Sequence, residues 1–384
     1  MGFDRKGGRP SLAIAISNPV KAERKAGTQP APPHQSGRTD YMKKFIASFA
    51  LGAAAMVVAG SAIAQEVSSP TLNAIKQRGS VNCGSNPGLA GFGVPDAQGN
   101  WTGLDVDYCR AIAAAIFNDP TKVKFIPLSA KDRFTAVQSG EVDVLVRNST
   151  WTMSRDTSLG LDFPAINYYD GQGFMVRKKL GVSSALELNG ASVCTQQGTT
   201  TELNLADFFR ANKIKYEVVA FASADETIKA YDAGRCDAFT TDASGLYAER
   251  LKLTNPDDHI VLPEIISKEP LGAVVKHGDS VWRDVVAWTH FAMLNAEELG
   301  VTKANVDQMA KSDNPEIKRL LGVEGKFGEA IGLTNDWVVR IVKHVGNYGE
   351  SFEKNVGEAS RLKIKRGQNA LWTKGGLQYA PPIR

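Results

Sequence analysis

The chain has 384 residues, with 45 Lys+Arg against 41 Asp+Glu and a net charge of +4. That excess belongs to residues 1–64, which hold 9 Lys+Arg and 3 Asp+Glu and leave 36 against 38, a net −2, for the other 320 residues. A weakly acidic remainder removes the main electrostatic support for binding nucleic acid or an anionic membrane surface, and its length suffices for two lobes with proper cores.

Residues 1–41 are basic, rich in Pro and Gly and without apolar periodicity, as expected of a disordered or non-native leader, with the biological start at Met42. Met42-Lys43-Lys44 opens a short basic segment, and Phe45 to Gly60 is an apolar, alanine-rich run of 16 residues. That is short of the roughly 20 needed to span a bilayer. Ser61-Ala62-Ile63-Ala64-Gln65 then supplies the small-x-small pattern of a signal-peptidase site. Residues 42–64 are therefore expected to be a signal peptide cleaved after Ala64, which sends the chain to the periplasm.

All four cysteines, Cys83, Cys109, Cys194 and Cys236, lie in the exported part. An even count in an oxidising compartment favours disulfides. Spacings of 26, 85 and 42 residues contain no CxxC and argue against zinc. Of three possible connectivities, Cys83–Cys109 and Cys194–Cys236 keep each bridge within one lobe and are the expected pairs.

In chain order, a short helix at Thr71–Lys76 ends near Gly79 and leads to a strand at Ser80–Cys83 and a loop at Gly84–Gly88. A helix from Val106 to Phe117 stops before Pro120. The strand Val123–Ile126 and a helix containing Phe134 and Val137, ended by Gly140, follow. The β-prone run Val142–Val146 then empties into Arg147-Asn148-Ser149-Thr150-Trp151-Thr152-Met153-Ser154-Arg155, read as a loop rich in hydroxyls, an amide and guanidinium groups. After the extended Phe174–Arg177 the pattern restarts. Strands are expected at Ala191–Thr195, Tyr216–Phe221 and Cys236–Thr240, and helices at Thr200–Arg210, Ala224–Ala233 and Ser244–Leu251. Alternation at this spacing predicts an α/β fold with parallel or mixed sheets flanked by helices. From about Leu271 the chain is mainly helical, with amphipathic helices at Trp282–Leu299 and Asp336–His344, and is expected to pack on an existing lobe.

The two units echo each other. Ala136-Val137-Gln138-Ser139-Gly140-Glu141-Val142-Asp143 aligns with Ala230-Tyr231-Asp232-Ala233-Gly234-Arg235-Cys236-Asp237 at a constant offset of 94. The same offset sets Asn148 opposite Asp242, each just past the expected end of its strand. Ligands of open α/β sheets sit outside the carboxyl ends of the strands.

Catalytic patterns are weak. His259, His277, His290 and His344 stand at no metal spacing, and neither a G-x-S-x-G elbow nor a phosphate loop occurs. No enzyme activity, metal or cofactor is expected. A zwitterionic amino acid, by contrast, needs a cation and hydroxyls at one end and an anion at the other. Arg155, Thr150 and the Gly198-Thr199-Thr200 turn, a helix start with free N–H groups, can supply the first. Asp242 can supply the second.

Five pieces occur in order: Gly103-Leu104-Asp105-Val106-Asp107, Gln138-Ser139-Gly140-Glu141-Val142-Asp143, Thr150-Trp151-Thr152-Met153-Ser154-Arg155 with Leu161-Asp162-Phe163, Gln197-Gly198-Thr199-Thr200, and Gly234-Arg235-Cys236-Asp237-Ala238-Phe239. This set resembles the extracellular solute-binding proteins of polar amino-acid ABC importers, and the general L-amino-acid-binding subgroup most closely. The resemblance covers residues 66–384. It implies a two-lobed clamshell of the periplasmic binding protein type II fold. Lobe 1 would span residues 65–172, lobe 2 residues 173–270, and residues 271–384 would complete lobe 1 with a helical C-terminal extension. The clamshell would close about segments near Tyr168–Gly173 and Lys268–Ala273. The resemblance also implies that Arg155 and Thr150, with the Thr200 backbone, hold the ligand's α-carboxylate, and that Asp242 and Asn148 hold its ammonium. Where the family often stacks an aromatic ring, this chain has Leu89, with Phe92 three residues on. Where basic-amino-acid binders carry an acid, it has Asn86. Both departures suit a roomier, less selective pocket. The implied partners are an L-amino acid and a membrane permease, with the receptor a monomer. The alternatives are a secreted clamshell enzyme, such as a cyclohexadienyl dehydratase, and a ligand-sensing module.

Overall fold

The computed structural model describes residues 68–384, so the leader, the signal peptide and its cleavage site lie outside the described residues. Among the described residues no helix is long and apolar enough to cross a membrane.

Two mixed sheets organise the chain, as the alternating pattern predicts. In the first, Val81–Ser85 lies between Val123–Pro127 and Val144–Thr150, all parallel. Glu269–Lys276 then runs antiparallel beside Val144–Thr150 and also pairs with Leu161–Asp162 and Ile166–Asp170. In the second sheet, Ala191–Gln196 lies between Tyr216–Phe221 and Ala238–Asp242, again parallel. Gln172–Arg177 is antiparallel beside Ala238–Asp242, with His259–Val261 at the edge. The sheets are joined where Ile166–Asp170 passes through Gly171 into Gln172–Arg177. The returning chain is tied to this crossing, since Ile266 N–H donates to the Gln172 carbonyl (2.9 Å) and Gln172 N–H donates to Ser267 Oγ (3.3 Å).

The repeated motif has one physical meaning in both sheets. Gly140 (φ 79°) and Gly234 (φ 84°) take the left-handed conformation that lets a helix end and its strand begin. Three residues on, Asp143 Oδ2 accepts from Asn82 N–H (2.7 Å) and Asp237 Oδ2 accepts from Ser192 N–H (2.9 Å). Each aspartate pins the start of its strand to the parallel neighbour.

Val144–Thr150 runs four residues further than the expected strand end at Val146. The sequence reading stopped at the first polar residues, but Ser149 and Thr150 find antiparallel partners in Gly272 and Leu271. These come from more than 100 residues downstream, where local pattern carries no signal. Beyond them Ser154–Ser158 forms a single π-helical turn.

Helices Ser280–Glu298, Trp337–His344 and Tyr348–Asn355 share one core with the first sheet and helix Leu104–Phe117, centred on Ile112, Trp282, Trp337, Tyr348 and Phe352. Buried Tyr108 locks this packing by donating to the Val286 carbonyl (2.8 Å). The second sheet carries separate apolar clusters around Phe174 and Phe209 and around Tyr231 and Phe239.

The disulfides are Cys83–Cys109, with Cα atoms 6.3 Å apart, and Cys194–Cys236, with Cα atoms 5.6 Å apart. The second closes a loop with a sequence separation of 42 residues. Loop-closure entropy for such a cross-link is about 4 kcal/mol. The Cys194→Ala/Cys236→Ala double variant is therefore expected to lose roughly 2–5 kcal/mol of unfolding free energy. Denaturant unfolding of oxidised and variant protein measures this, and an equal midpoint and slope would contradict it.

Candidate functional site

A polar cavity lies at the carboxyl ends of the central strands of both sheets, where an α/β fold places a ligand. Seven of the eight residues singled out from sequence line it: Asn86, Leu89, Asn148, Thr150, Thr199, Thr200 and Asp242. Arg155 does not. Its Nη1 donates to the Thr150 carbonyl (2.9 Å), and its guanidinium lies 4.8 Å from the Phe134 ring centre. Phe92 is buried against Tyr168, 5.1 Å between ring centres, so the residue of that loop reaching the cavity is Leu89.

Asn148 holds a positive φ of 33°, a strained conformation that asparagine tolerates better than most residues. Three contacts fix it. Its N–H donates to Asp105 Oδ2 (2.9 Å), Asn167 Nδ2 donates to Asp105 Oδ1 (2.8 Å), and Asn86 Nδ2 donates to Asn148 Oδ1 (3.1 Å). Burial pushes Asp105 up to about 6. Asp105 thus explains its own motif: a buried acid at a helix start positions the Asn148 backbone.

The hydroxyls of Thr150 and Thr200 already serve a carboxylate, and it belongs to the protein. Glu269 Oε2 accepts from Thr150 Oγ1 (2.6 Å) and Thr200 Oγ1 (2.9 Å). Its Oε1 accepts from Asn204 Nδ2 and Ser267 Oγ, both at 2.6 Å. Thr199 spends its hydroxyl on the Gln196 carbonyl (2.7 Å) and makes no side-chain cap, which leaves the first N–H groups of helix Thr200–Ala211 open for an anion.

Sequence reasoning missed the main cation of the cavity. Arg133 lines it, is 3% exposed, and has a buried Nε without a hydrogen-bond partner. Burial, then the neighbouring Arg147 and Arg155, push it well below the usual guanidinium range, while Asp242 and Glu269 oppose the shift. Arg147 also lines the cavity, but its Nε is spent on the Leu128 carbonyl (2.8 Å). Arg133 sits in a helix start that read as ordinary amphipathic sequence, and only its burial singles it out.

Opposite lies negative charge. Burial, then Asp170 and Glu269, raise Asp242 well above the usual carboxylate range. Asp170 is raised as well, chiefly by burial, although Ser244 hydrogen-bonds to it. A cation brought between these groups would relieve the cluster. The cavity therefore gathers an incompletely partnered guanidinium, helix N–H groups and a crowded acid, groups that can meet the two charges of a small zwitterion. Among the described residues, one grouping has metal-ligand geometry, Asp156, Asp162 and His277, and none of the three lines the cavity.

Residues 81–305 match the bacterial extracellular solute-binding proteins of family 3. The chain is similar to the general L-amino acid-binding periplasmic protein AapJ of Rhizobium johnstonii, 60% identical over 345 residues, 89% of this chain and 100% of that one. The glutamate/glutamine/aspartate/asparagine-binding protein BztA of Rhodobacter capsulatus is 58% identical over 346 residues, with 89% and 100% covered. Among solved structures, an ABC transporter/periplasmic binding protein from Brucella ovis with glutathione bound superposes with a TM-score of 0.81. It is 65% identical over 82% of this chain and 99% of that one.

A buried guanidinium without a full set of partners costs the ligand-free fold more than it returns. Arg133→Met, of similar length, is expected to leave unfolding free energy unchanged or higher by roughly 1–2 kcal/mol. Denaturant unfolding tests this, and a loss of more than about 2 kcal/mol would mean that Arg133 serves the fold rather than the cavity.

Proposed function

Because the chain belongs to the bacterial extracellular solute-binding proteins of family 3, we propose that it is the periplasmic receptor of an ABC importer, binding L-amino acids in the cavity described above. The observation that carries this reading is the pairing of a buried, incompletely partnered Arg133 with a buried Asp242 across one cavity. An amino acid supplies the missing partner of each.

In this reading the α-carboxylate meets Arg133 and the N–H groups at the start of helix Thr200–Ala211, beside Thr150. Arg155 adds positive charge near Thr150. The ammonium meets Asp242, with the Asn148 side chain alongside. A carboxylate arriving next to Thr150 and Thr200 competes with Glu269 for their hydroxyls, which couples ligand entry to the strand joining the sheets. Asn86 and Leu89 face the rest of the ligand and favour breadth over a single side chain. The receptor acts as a monomer and delivers its ligand to the permease subunits.

The driving force is differential. A ligand whose two charges touch both sheets binds the closed form better and shifts the population toward it. The AapJ and BztA likenesses, both binding proteins, support this reading over the clamshell-enzyme alternative.

A thermal-shift panel of the twenty amino acids tests the reading, since stabilisation grows as RT ln(1 + [L]/Kd). Shifts with several polar amino acids are expected, and none with any of them would reject it. Asp242→Asn is expected to weaken amino acids by about tenfold or more relative to matching carboxylic acids lacking the amine. Equal losses for both, by calorimetry, would remove Asp242 from the ammonium site.

A further inference from the structure

A second buried carboxylate lines the cavity and has no part in the zwitterion clamp. Glu249 lies on helix Ala243–Arg250, seven residues after Asp242 and on the same face as Gly245, which also lines the cavity. Seven residues place it about 10 Å along the helix axis from Asp242. It is 2% exposed, and its two oxygens differ. Oε1 accepts from Lys252 Nζ (3.1 Å), whereas Oε2 is buried with no hydrogen-bond partner.

Lys252 does more than neutralise this acid. Its Nζ also donates to Asp225 Oδ1 (3.0 Å) and to the Gly88 carbonyl (2.7 Å). Gly88 belongs to the loop after the first strand of the first sheet, between the cavity-lining Asn86 and Leu89. Glu249 therefore sits at the end of the cavity away from Asp242, and the ion pair that holds it also bridges the two sheets. A buried oxygen left unsatisfied destabilises the ligand-free protein. Neither Lys252 nor any other described side chain satisfies it.

We propose that Glu249 reads the far end of the ligand: its Oε2 accepts a hydrogen bond from a side-chain amide, ammonium or guanidinium of the bound amino acid. The proposal rests on the amino-acid-receptor reading and deepens it by naming a substrate class, amino acids whose side chain ends in a nitrogen donor. The acid absent at Asn86 is supplied from the opposite sheet. Because Oε1 is held by the lysine that touches Gly88, occupation of Oε2 is transmitted to the bridge between the sheets. Burial raises Glu249 to about 7, with Lys252 opposing the shift and Asp225 reinforcing it. A cationic ligand end would draw this group toward its charged form and release part of a proton on binding near pH 7.

Calorimetry of the exported protein with lysine, glutamine and alanine tests the proposal in wild type, Glu249→Gln and Glu249→Met. In Glu249→Met, lysine and glutamine are both expected to lose about tenfold or more in affinity relative to alanine. Glu249→Gln keeps an acceptor oxygen without the charge, so it should restore glutamine relative to alanine but not lysine. Titrations in buffers of different ionisation enthalpy should show proton release with lysine in wild type and none in Glu249→Gln. Equal losses for all three ligands, an unchanged lysine-to-alanine ratio, or identical proton release in wild type and Glu249→Gln would each overturn the role. A wild-type protein that binds none of the three fails the receptor reading itself, and this proposal with it.

Discussion

The structure depends on one buried carboxylate, that of Glu269. It stands on the strand that re-enters the first sheet and takes hydrogen bonds from Thr150 of that sheet, from Thr200 and Asn204 of the helix over the second, and from Ser267 at the crossing. An ionised acid removed from water is tolerated only when its oxygens are fully engaged and cations lie near. Here four donors and the charge of Arg155 and Arg133 meet that condition. The donors come from both sheets, so the hydrogen bonds that make Glu269 affordable also hold the sheets together. Any ligand carboxylate that borrows these hydroxyls acts on the same junction.

Around it the site is built from opposed, incompletely matched charges. Arg133 lacks a full set of acceptors, Asp242 is crowded by Asp170 and Glu269, and Glu249 keeps an unpartnered oxygen. Each costs stability in the ligand-free protein, and the large apolar core of the first sheet can carry that cost. A buried polar group left unsatisfied gains from any ligand that completes it, so these groups together favour a ligand bearing both signs of charge.

Much of the fold was legible in the sequence because its signals are local. Strand–helix alternation, the glycine stops at Gly140 and Gly234 and the recurring aspartates Asp143 and Asp237 are read within a few residues. The cavity residues just past a strand or at a helix start, such as Thr200 and Asp242, follow from the same local logic. Arg133, Glu249 and Glu269 escaped notice because they carry no motif. An arginine in a helix's first turn and a glutamate in its last look like solvated surface until tertiary packing buries them. Arg155 was conspicuous in the sequence, but its hydrogen bond to the Thr150 carbonyl was not readable there. The strand extension to Thr150 was hidden for a related reason, its partners being far away in the chain.

The order of strands along the chain carries a consequence for how the molecule is assembled. The strands of the second sheet run consecutively from Gln172 to Val261, whereas Glu269–Lys276, an inner strand of the first, comes only afterwards. A chain emerging from its amino end can therefore close the second sheet while the first still lacks an inner strand and the C-terminal helices that cover it. The strand that arrives next brings Glu269 with it. The junction between the sheets is then completed only after Glu269 has emerged. A chain cut short just before it would hold every strand of the second sheet and every lining residue of the cavity, yet lack the carboxylate that joins them.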